Sequence, residues 1–312
     1  MYGFRFAVGL LVDMTAKLLY ALESDAGSVT NSPREFFRVV APNQCTPFPR
    51  MKLKTSLFLL LWLIAGMACG QTLHFGTNRV QPGKLVEFFA PPNGGARLGA
   101  QRTGRVLASV KGAFILPPGY TNLARPCPLL IFSVPSGGSS TRGMSTMTNV
   151  ALTEGWAILA ADGPKIDASE DTIQWGWAML SSVLDEFTKT WPPAKSWPVA
   201  CAGFSGGAKR SAAVAAAMAH DNWRVIGVFM GGCNEDRATL GWQLFGPGSR
   251  FKSVPMFLSN GVSDPIANPQ HGATVRDAMI RSGFTAVRLE SHPGKHQLSQ
   301  THLREALRWF RR

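Results

Sequence analysis

Acidic residues are scarce in this chain. Across 312 residues, 19 Asp and Glu stand against 32 Lys and Arg, a formal charge of +13. Such a balance invites a nucleic-acid partner. The basic residues, however, are dispersed. The longest cluster is the terminal Arg308-Trp309-Phe310-Arg311-Arg312. With no RNA-binding motif beside it, the charge speaks to solubility and diffuse attraction, and no nucleic-acid role is expected. A membrane-spanning run is lacking too. The apolar stretch from Leu57 to Cys69 has about 13 residues, where a bilayer span needs roughly 20. Cysteine is sparse: of 5 in the chain, only Cys127, Cys201 and Cys233 lie beyond residue 70. Three is no disulfide framework. Cys201 sits in an apolar run and reads as a small buried hydrophobe; a Cys201–Cys233 bridge stays open. Internal repeats and low-complexity segments are absent.

The N-terminal region reads as processed. From Met51 the chain runs MKLKTSLFLLLWLIAGMACG. Lys52 and Lys54 form a basic start, Leu57 to Ala65 an apolar middle, and small residues follow, which is the layout of a secretory signal peptide. Cleavage is expected after Gly70 or after Ala68. A lipoprotein cysteine at Cys69 is the weaker option, because Gly66 stands where such signals usually have Leu. The expected organisation is therefore residues 1–50 as an upstream or unstructured extension, 51–70 as the signal peptide and 71–312 as the one folded domain. The mature chain would be secreted or periplasmic, with no stable membrane span, and still basic near residue counts of 25 Lys and Arg against 15 Asp and Glu.

Beyond residue 70, strand-like and helix-like segments alternate. KLVEFF (84–89) and GRVLASVKGAFILP (104–117) read as opening strands. PLLIFSV (128–134) and GWAILAAD (155–162) are short continuous apolar runs of the kind found in buried strands. Between them, residues 141–154 read as a helix. Residues 171–190 read as a longer helix, stopped by Pro192-Pro193. WPVACAGF (197–204), an Ala-rich helix, WRVIGVFMGG (223–232), VPMFLSNG (254–261), a helix near 271–283, TAVRLES (285–291) and a last helix over 299–310 complete the pattern. The alternation predicts an α/β fold with a mostly parallel central sheet and helices on both faces.

Within it, Gly203-Phe204-Ser205-Gly206-Gly207 fits G-x-S-x-G between a strand and a helix, the setting of a nucleophile elbow. The turn is sharp enough that its flanks want glycine, and Ser205 lies near a helix N-terminus that favours negative charge. Lys209 and Arg210 in that first turn run against the dipole. A dinucleotide fingerprint is excluded, since Ser205 stands where glycine is needed. GSSTRGMS (138–145) has phosphate-loop spacing but carries Met144 in place of the lysine. A serine nucleophile needs a base and an orienting acid, in the chain order Ser, acid, His. Asp264 follows an apolar strand in FLSNGVSDPI; Glu235 and Asp236 are rival acids, and Asp264 could instead cap a turn. His296 and His292 follow the final strand, and His296 is preferred. As a metal pair the two histidines fail, because Pro293-Gly294 breaks the helix that would put them on one face.

From about residue 84 to 312 the chain resembles the α/β-hydrolase superfamily, in particular its esterase and dienelactone-hydrolase-like members. The matching pieces are ILPPGY, LLIFSV followed by PSGGSS, GFSGG, NGVSDP and PGKH. The resemblance implies a Ser205–His296–Asp264 triad and an acyl-enzyme. It implies a backbone oxyanion hole at Gly206 and at Ser136 or Gly137, where many relatives carry His-Gly. No cofactor and no metal are expected. Only residues 231–253 separate two strands where such hydrolases insert a lid, so a lidless, shallow site is expected. Its rim would be Trp242 and Phe245, with Trp175 and Trp177 either joining them or lying in the core. Such a site would take a small-molecule ester or the edge of a glycan- or polymer-linked one. Amidase, thioesterase or peptidase activity, and a noncatalytic binding protein on this fold, are the alternatives. The oligomeric state is not legible.

Overall fold

Eight of the segments read as strands pair into one sheet. The computed structural model describes residues 73–122, 125–164 and 172–312. The chain divides into two units, Met1–Met67 and Ala68–Arg312, and every described residue belongs to the second. The assignments of an extension over 1–50 and a signal peptide over 51–70 lie outside the described residues.

A two-residue ladder, β1 (His74–Phe75) with β2 (Asn78–Arg79), precedes the main sheet. The sheet contains β3 (Val86–Ala90), β4 (Val110–Ile115), β5 (Leu129–Phe132), β6 (Ala157–Ala161), β7 (Pro198–Phe204), β8 (Arg224–Gly231), β9 (Met256–Gly261) and β10 (Val287–His292). Their order is β10-β9-β8-β7-β5-β6-β4-β3. Strand β4 runs antiparallel to both neighbours, and the other pairs are parallel. The helices are α1 (Gly94–Arg102), α2 (Ser140–Thr153), α3 (Ile173–Thr190), α4 (Gly206–His220), α5 (Arg237–Phe245), α6 (Pro269–Arg281) and α7 (Gln300–Trp309).

The period of two along each strand divides the core into two layers. Leu129 and Ile131 of β5, Leu159 of β6 and Val199 and Cys201 of β7 face one side, against α3 and α4. Leu130 and Phe132, Ile158, and Ala200 and Ala202 face the other, against α2 and α7. Both faces are covered, which is why these strands read as unbroken apolar runs. The alanines of α4 serve close packing: a Cβ on Gly241 of α5 would stand 2.8 Å from the Cα of Ala213. The longer α3 is capped by Thr172, whose hydroxyl accepts from the Trp175 amide at 3.1 Å.

One expectation is corrected, two elements are added, and one open alternative is decided. Residues 104–109 are not strand, because β3 ends at Ala90 opposite Val110 and no strand continues beyond it. Helix α1 and the β1–β2 ladder were not read from the sequence. The Cys201–Cys233 bridge is absent, and all three described cysteines are free and buried. Cys201 turns toward α4, its thiol 3.7 Å from the Met218 sulfur, while the Cys233 thiol donates to the Glu235 carbonyl at 3.3 Å. Between β8 and β9 the chain forms only α5 and one 3-10 turn, Ser249–Ser253, so no lid domain is inserted there. Among the described residues no helix is long and apolar enough to cross a membrane.

Candidate active site

The chain leaves β5 for β6 on one side and then returns to place β7 on the other. Open α/β sheets keep their crevice at such a switch point, beyond the strand C-termini. The loop after β5 carries Pro135 to Gly138, and the loop after β7 carries Ser205.

Ser205 has φ 55° and ψ −122°, a strained conformation for a residue with a side chain. Its surroundings impose it. A Cβ at Gly203 would lie 2.1 Å from the Gly207 carbonyl oxygen, and one at Gly207 would lie 2.3 Å from the Ser133 carbonyl oxygen. Glycine is thus demanded on both sides of the serine by backbone contact. Gly206 is different, since a Cβ there would meet only Pro135, at 3.5 Å. The Ser205 amide donates to the Gly231 carbonyl at 2.8 Å and pins the turn to β8.

Two loops meet to place the remaining side chains. A Cβ at Gly261 would sit 2.4 Å from the Lys295 carbonyl oxygen, so glycine lets the 292–296 loop rest on the end of β9. The amides of Val262 and Ser263 donate to the carbonyls of His292 and Gly294 at 3.0 and 2.9 Å. This lacing sets His296 against Asp264, with Nδ1 2.8 Å from Oδ2. Nε2 of the same ring lies 2.9 Å from the Ser205 hydroxyl. The Phe204 ring, 4.8 Å away between centroids, backs the imidazole.

Asp264 is a turn cap as well. Its Oδ1 accepts from the amides of Ile266 and Ala267, each at 2.8 Å, while Oδ2 faces His296. The two readings open in the sequence are one arrangement. Burial alone would raise its carboxyl. The Ala267 amide, the His296 side chain and the Ile266 amide outweigh that and hold it below the ordinary carboxylate range. Asn260 ties the turn to the end of β8, donating to the Cys233 and Ala267 carbonyls at 3.1 and 2.7 Å.

The structure brings Ser205, His296 and Asp264 together and leaves the rivals elsewhere. His292 is buried, its ring edge-on to that of His302. Glu235 pairs with Lys209 and Arg237, and Asp236 caps α5 through the Ala238 and Thr239 amides. Of the oxyanion candidates, Gly137 is corrected. At φ 68° its amide turns to the Pro164 carbonyl and donates to it at 2.7 Å. Ser136 and Gly206 line one cavity of about 640 Å³.

The expected rim also changes. Helical phase points Arg237, Leu240 and Leu244 of α5 into that cavity, whereas Trp242 and Phe245 pack on the core from the opposite side. Trp242 lies under the Lys252 ammonium, 3.8 Å from the ring centroid. Trp175 is buried and Trp177 half-buried against the core.

One residue the sequence left unexplained finds a place. The Arg210 guanidinium reaches back from α4 to donate to the Val134 carbonyl and, at 3.3 Å, to the Ser136 hydroxyl. Gly176 makes room for it, since a Cβ there would stand 2.8 Å from Arg210 Nε. A cation in the first helical turn, where the dipole disfavours it, was the available signal.

No family model matches the sequence, and no curated protein matches it. Solved structures do. A bacterial heroin esterase superposes with a TM-score of 0.51 at 19% identity, covering 84% of this chain and 92% of that one. A serine hydrolase without a lid from Xanthomonas campestris gives 0.48 at 15%, over 74% and 95% of the two chains. An esterase of Pyrococcus furiosus gives 0.48 at 14%, over 73% and 89%. The first of these, with the strand order above, establishes that this chain has the α/β-hydrolase fold.

Proposed function

We propose that this protein is a serine hydrolase that cleaves carboxylic esters through an acyl-enzyme. What supports the reading is the chain of two hydrogen bonds from Asp264 through His296 to Ser205, built on a strained elbow. In this mechanism Nε2 of His296 takes the hydroxyl proton as Ser205 Oγ attacks the ester carbonyl. Asp264 holds the tautomer with its proton on Nδ1 and stabilises the imidazolium. The amides of Gly206 and Ser136 receive the oxyanion; a donor of this kind is worth about 3–4 kcal/mol in the transition state. His296 then gives its proton to the leaving alcohol. Water enters, loses a proton to His296 and attacks the acyl carbonyl; the Ser205 oxygen then departs, takes that proton back from His296, and the acid is released. Because no lid domain is inserted between β8 and β9, the reading includes bulky esters, among them the ester edge of a glycan or polymer. Export of the protein is part of the proposal and rests on the sequence over 51–70.

The test is labelling with a fluorophosphonate probe followed by peptide mapping, beside assays on esters, thioesters and amides. The expected result is one label on Ser205, lost in Ser205→Ala, with esters turned over fastest. An unlabelled Ser205 in folded protein would overturn the proposal in favour of a noncatalytic binding role.

A further inference from the structure

Among the described residues, the charged side chains lining the cavity that adjoins Ser136 and Gly206 are all basic. Its described walls carry three cations, Lys209 and Arg210 from the first turn of α4 and Arg237 from the first turn of α5, and no Asp or Glu is among them; Arg210 is engaged with Val134 and Ser136. Among the described residues, one carboxylate pairs with both Lys209 and Arg237. Glu235 Oε2 is 3.2 Å from Lys209 Nζ, and Oε1 is 2.6 Å from Arg237 Nε. Two cations on one carboxylate leave one positive charge uncompensated within the trio. Both cations occupy helix N-termini, where the dipole disfavours them. Their side chains are 33% and 32% exposed, so an incoming group can reach them. Arg237 approaches Glu235 with Nε at 2.6 Å, and its guanidinium fork has further donors suited to a second carboxylate. Leu240 and Leu244, four residues apart on α5, supply an apolar wall beside them.

We propose that this cavity is a subsite for a carboxylate borne by the ester substrate, held by Lys209 and Arg237 with Glu235 fixing their positions. The substrate class is then a monoester of a dicarboxylic acid or an ester of a hydroxy acid, its hydrocarbon lying along Leu240 and Leu244. The inference rests on the esterase reading above for the word substrate, and on the cavity alone for the anion.

Two pairs of esters separate the two sources of charge. On the acyl side, the 4-nitrophenyl monoester of glutaric acid is compared with 4-nitrophenyl butyrate. On the alcohol side, 3-acetoxybutyrate is compared with butyl acetate. At low salt the anionic member of one pair should lead in kcat/KM by about threefold to fivefold, the range of a solvent-exposed ion pair. In 1 M NaCl, where screening acts over about 3 Å, the lead should collapse. Lys209→Met and Arg237→Met should each lower the anionic-to-neutral ratio, and Glu235→Gln should raise it. Opposite signs from neighbouring positions are not what loss of folding would give. Ratios near one in both pairs, or ratios unmoved by all three substitutions, would overturn the proposal. Ser205→Ala protein titrated with the same esters and followed by NMR separates the two readings. Tighter binding of the anionic esters supports the subsite even if no ester is turned over. Equal binding overturns it even if the enzyme hydrolyses both.

Discussion

Asp264 divides its two oxygens between a turn and an imidazole, and each use makes the other more effective. The amides of Ile266 and Ala267 fix the carboxylate so that only Oδ2 faces His296. Removal of Ser205 or His296 should therefore silence hydrolysis, by about 10⁶ in kcat, and Asp264→Asn should cost about 10⁴. Steady-state kinetics on any accepted ester checks the order, and a severe His292→Ala beside a mild His296→Ala would reassign the base. The same carboxyl carries a pH signature. Its folded pKa lies below the value of about 3.9 expected in the unfolded chain, because the donors around it outweigh its burial. Its contribution to stability is therefore present above that unfolded value and is lost as pH falls toward the folded one. Urea unfolding of wild type and Asp264→Asn should show a stability gap at pH 6 that narrows as pH is lowered through 4 toward 3. A constant gap would contradict the linkage. Arg210 acts one step further out, through its bonds to Val134 and Ser136. Arg210→Met should lower kcat with little change in KM and weaken inhibition by a boronic acid that mimics the oxyanion. Arg210→Lys, which restores one donor, should recover part of both.

The elbow and the loops around it were legible as elements because backbone sterics wrote them into composition. Gly203, Gly207 and Gly261 each face a carbonyl oxygen closer than any Cβ could tolerate, so GFSGG and NG are marks of contact and not only of turning. The parallel strands were legible for a related reason: covered on both faces, they leave no room for polar residues. Helix α1 was not legible. It opens on Gly94-Gly95 and contains Gly99, poor helix formers that hide its period. The last of these is required by the Trp175 ring, which would stand 2.7 Å from a Cβ at that site. Its cap, Asn93 accepting from the Ala96 amide at 2.9 Å, was the one local cue. The rim residues were missed because α5 was treated as a connection; its phase, once given, turns Leu240 and Leu244 to the cavity and Trp242 away. The use of the Gly137 amide could not be read at all, because its acceptor, Pro164, is 27 residues distant in the chain and joined only by the fold. These contacts predict different fates for two adjacent glycines. Gly207→Ala forces a methyl onto the Ser133 carbonyl and should destabilise by about 1–3 kcal/mol while displacing Ser205. Gly206→Ala meets only Pro135, at an ordinary contact distance of 3.5 Å, and should stay within about 0.5 kcal/mol of wild type. Thermal melts of the two variants compare them directly, and equal losses would show that the elbow is less rigidly defined than these distances imply.

At the scale of the whole molecule, the fold is held by two apolar layers on one sheet and by no covalent staple among the described residues. Cys127, Cys201 and Cys233 lie in the layer shared by α3, α4 and the facing strands, at 2%, 0% and 0% exposure. Burial pushes the Cys127 and Cys233 thiols up to about 11, and drives that of Cys201 higher still. A thiol in that state has almost no thiolate at neutral pH, and it is the thiolate that reacts with alkylating agents and disulfides. The layer should therefore protect these cysteines for as long as the sheet is intact, in an oxidising compartment as much as in a reducing one. Native protein treated with iodoacetamide at pH 8 should yield unmodified peptides for all three positions, and the same treatment in concentrated guanidinium should modify all three. The melting temperature should be unchanged by a reducing agent. Loss of stability on reduction would mean that two of them are bridged in solution, and rapid native labelling of Cys201 would mean that the core around β7 and α4 opens far more readily than its alanine packing implies.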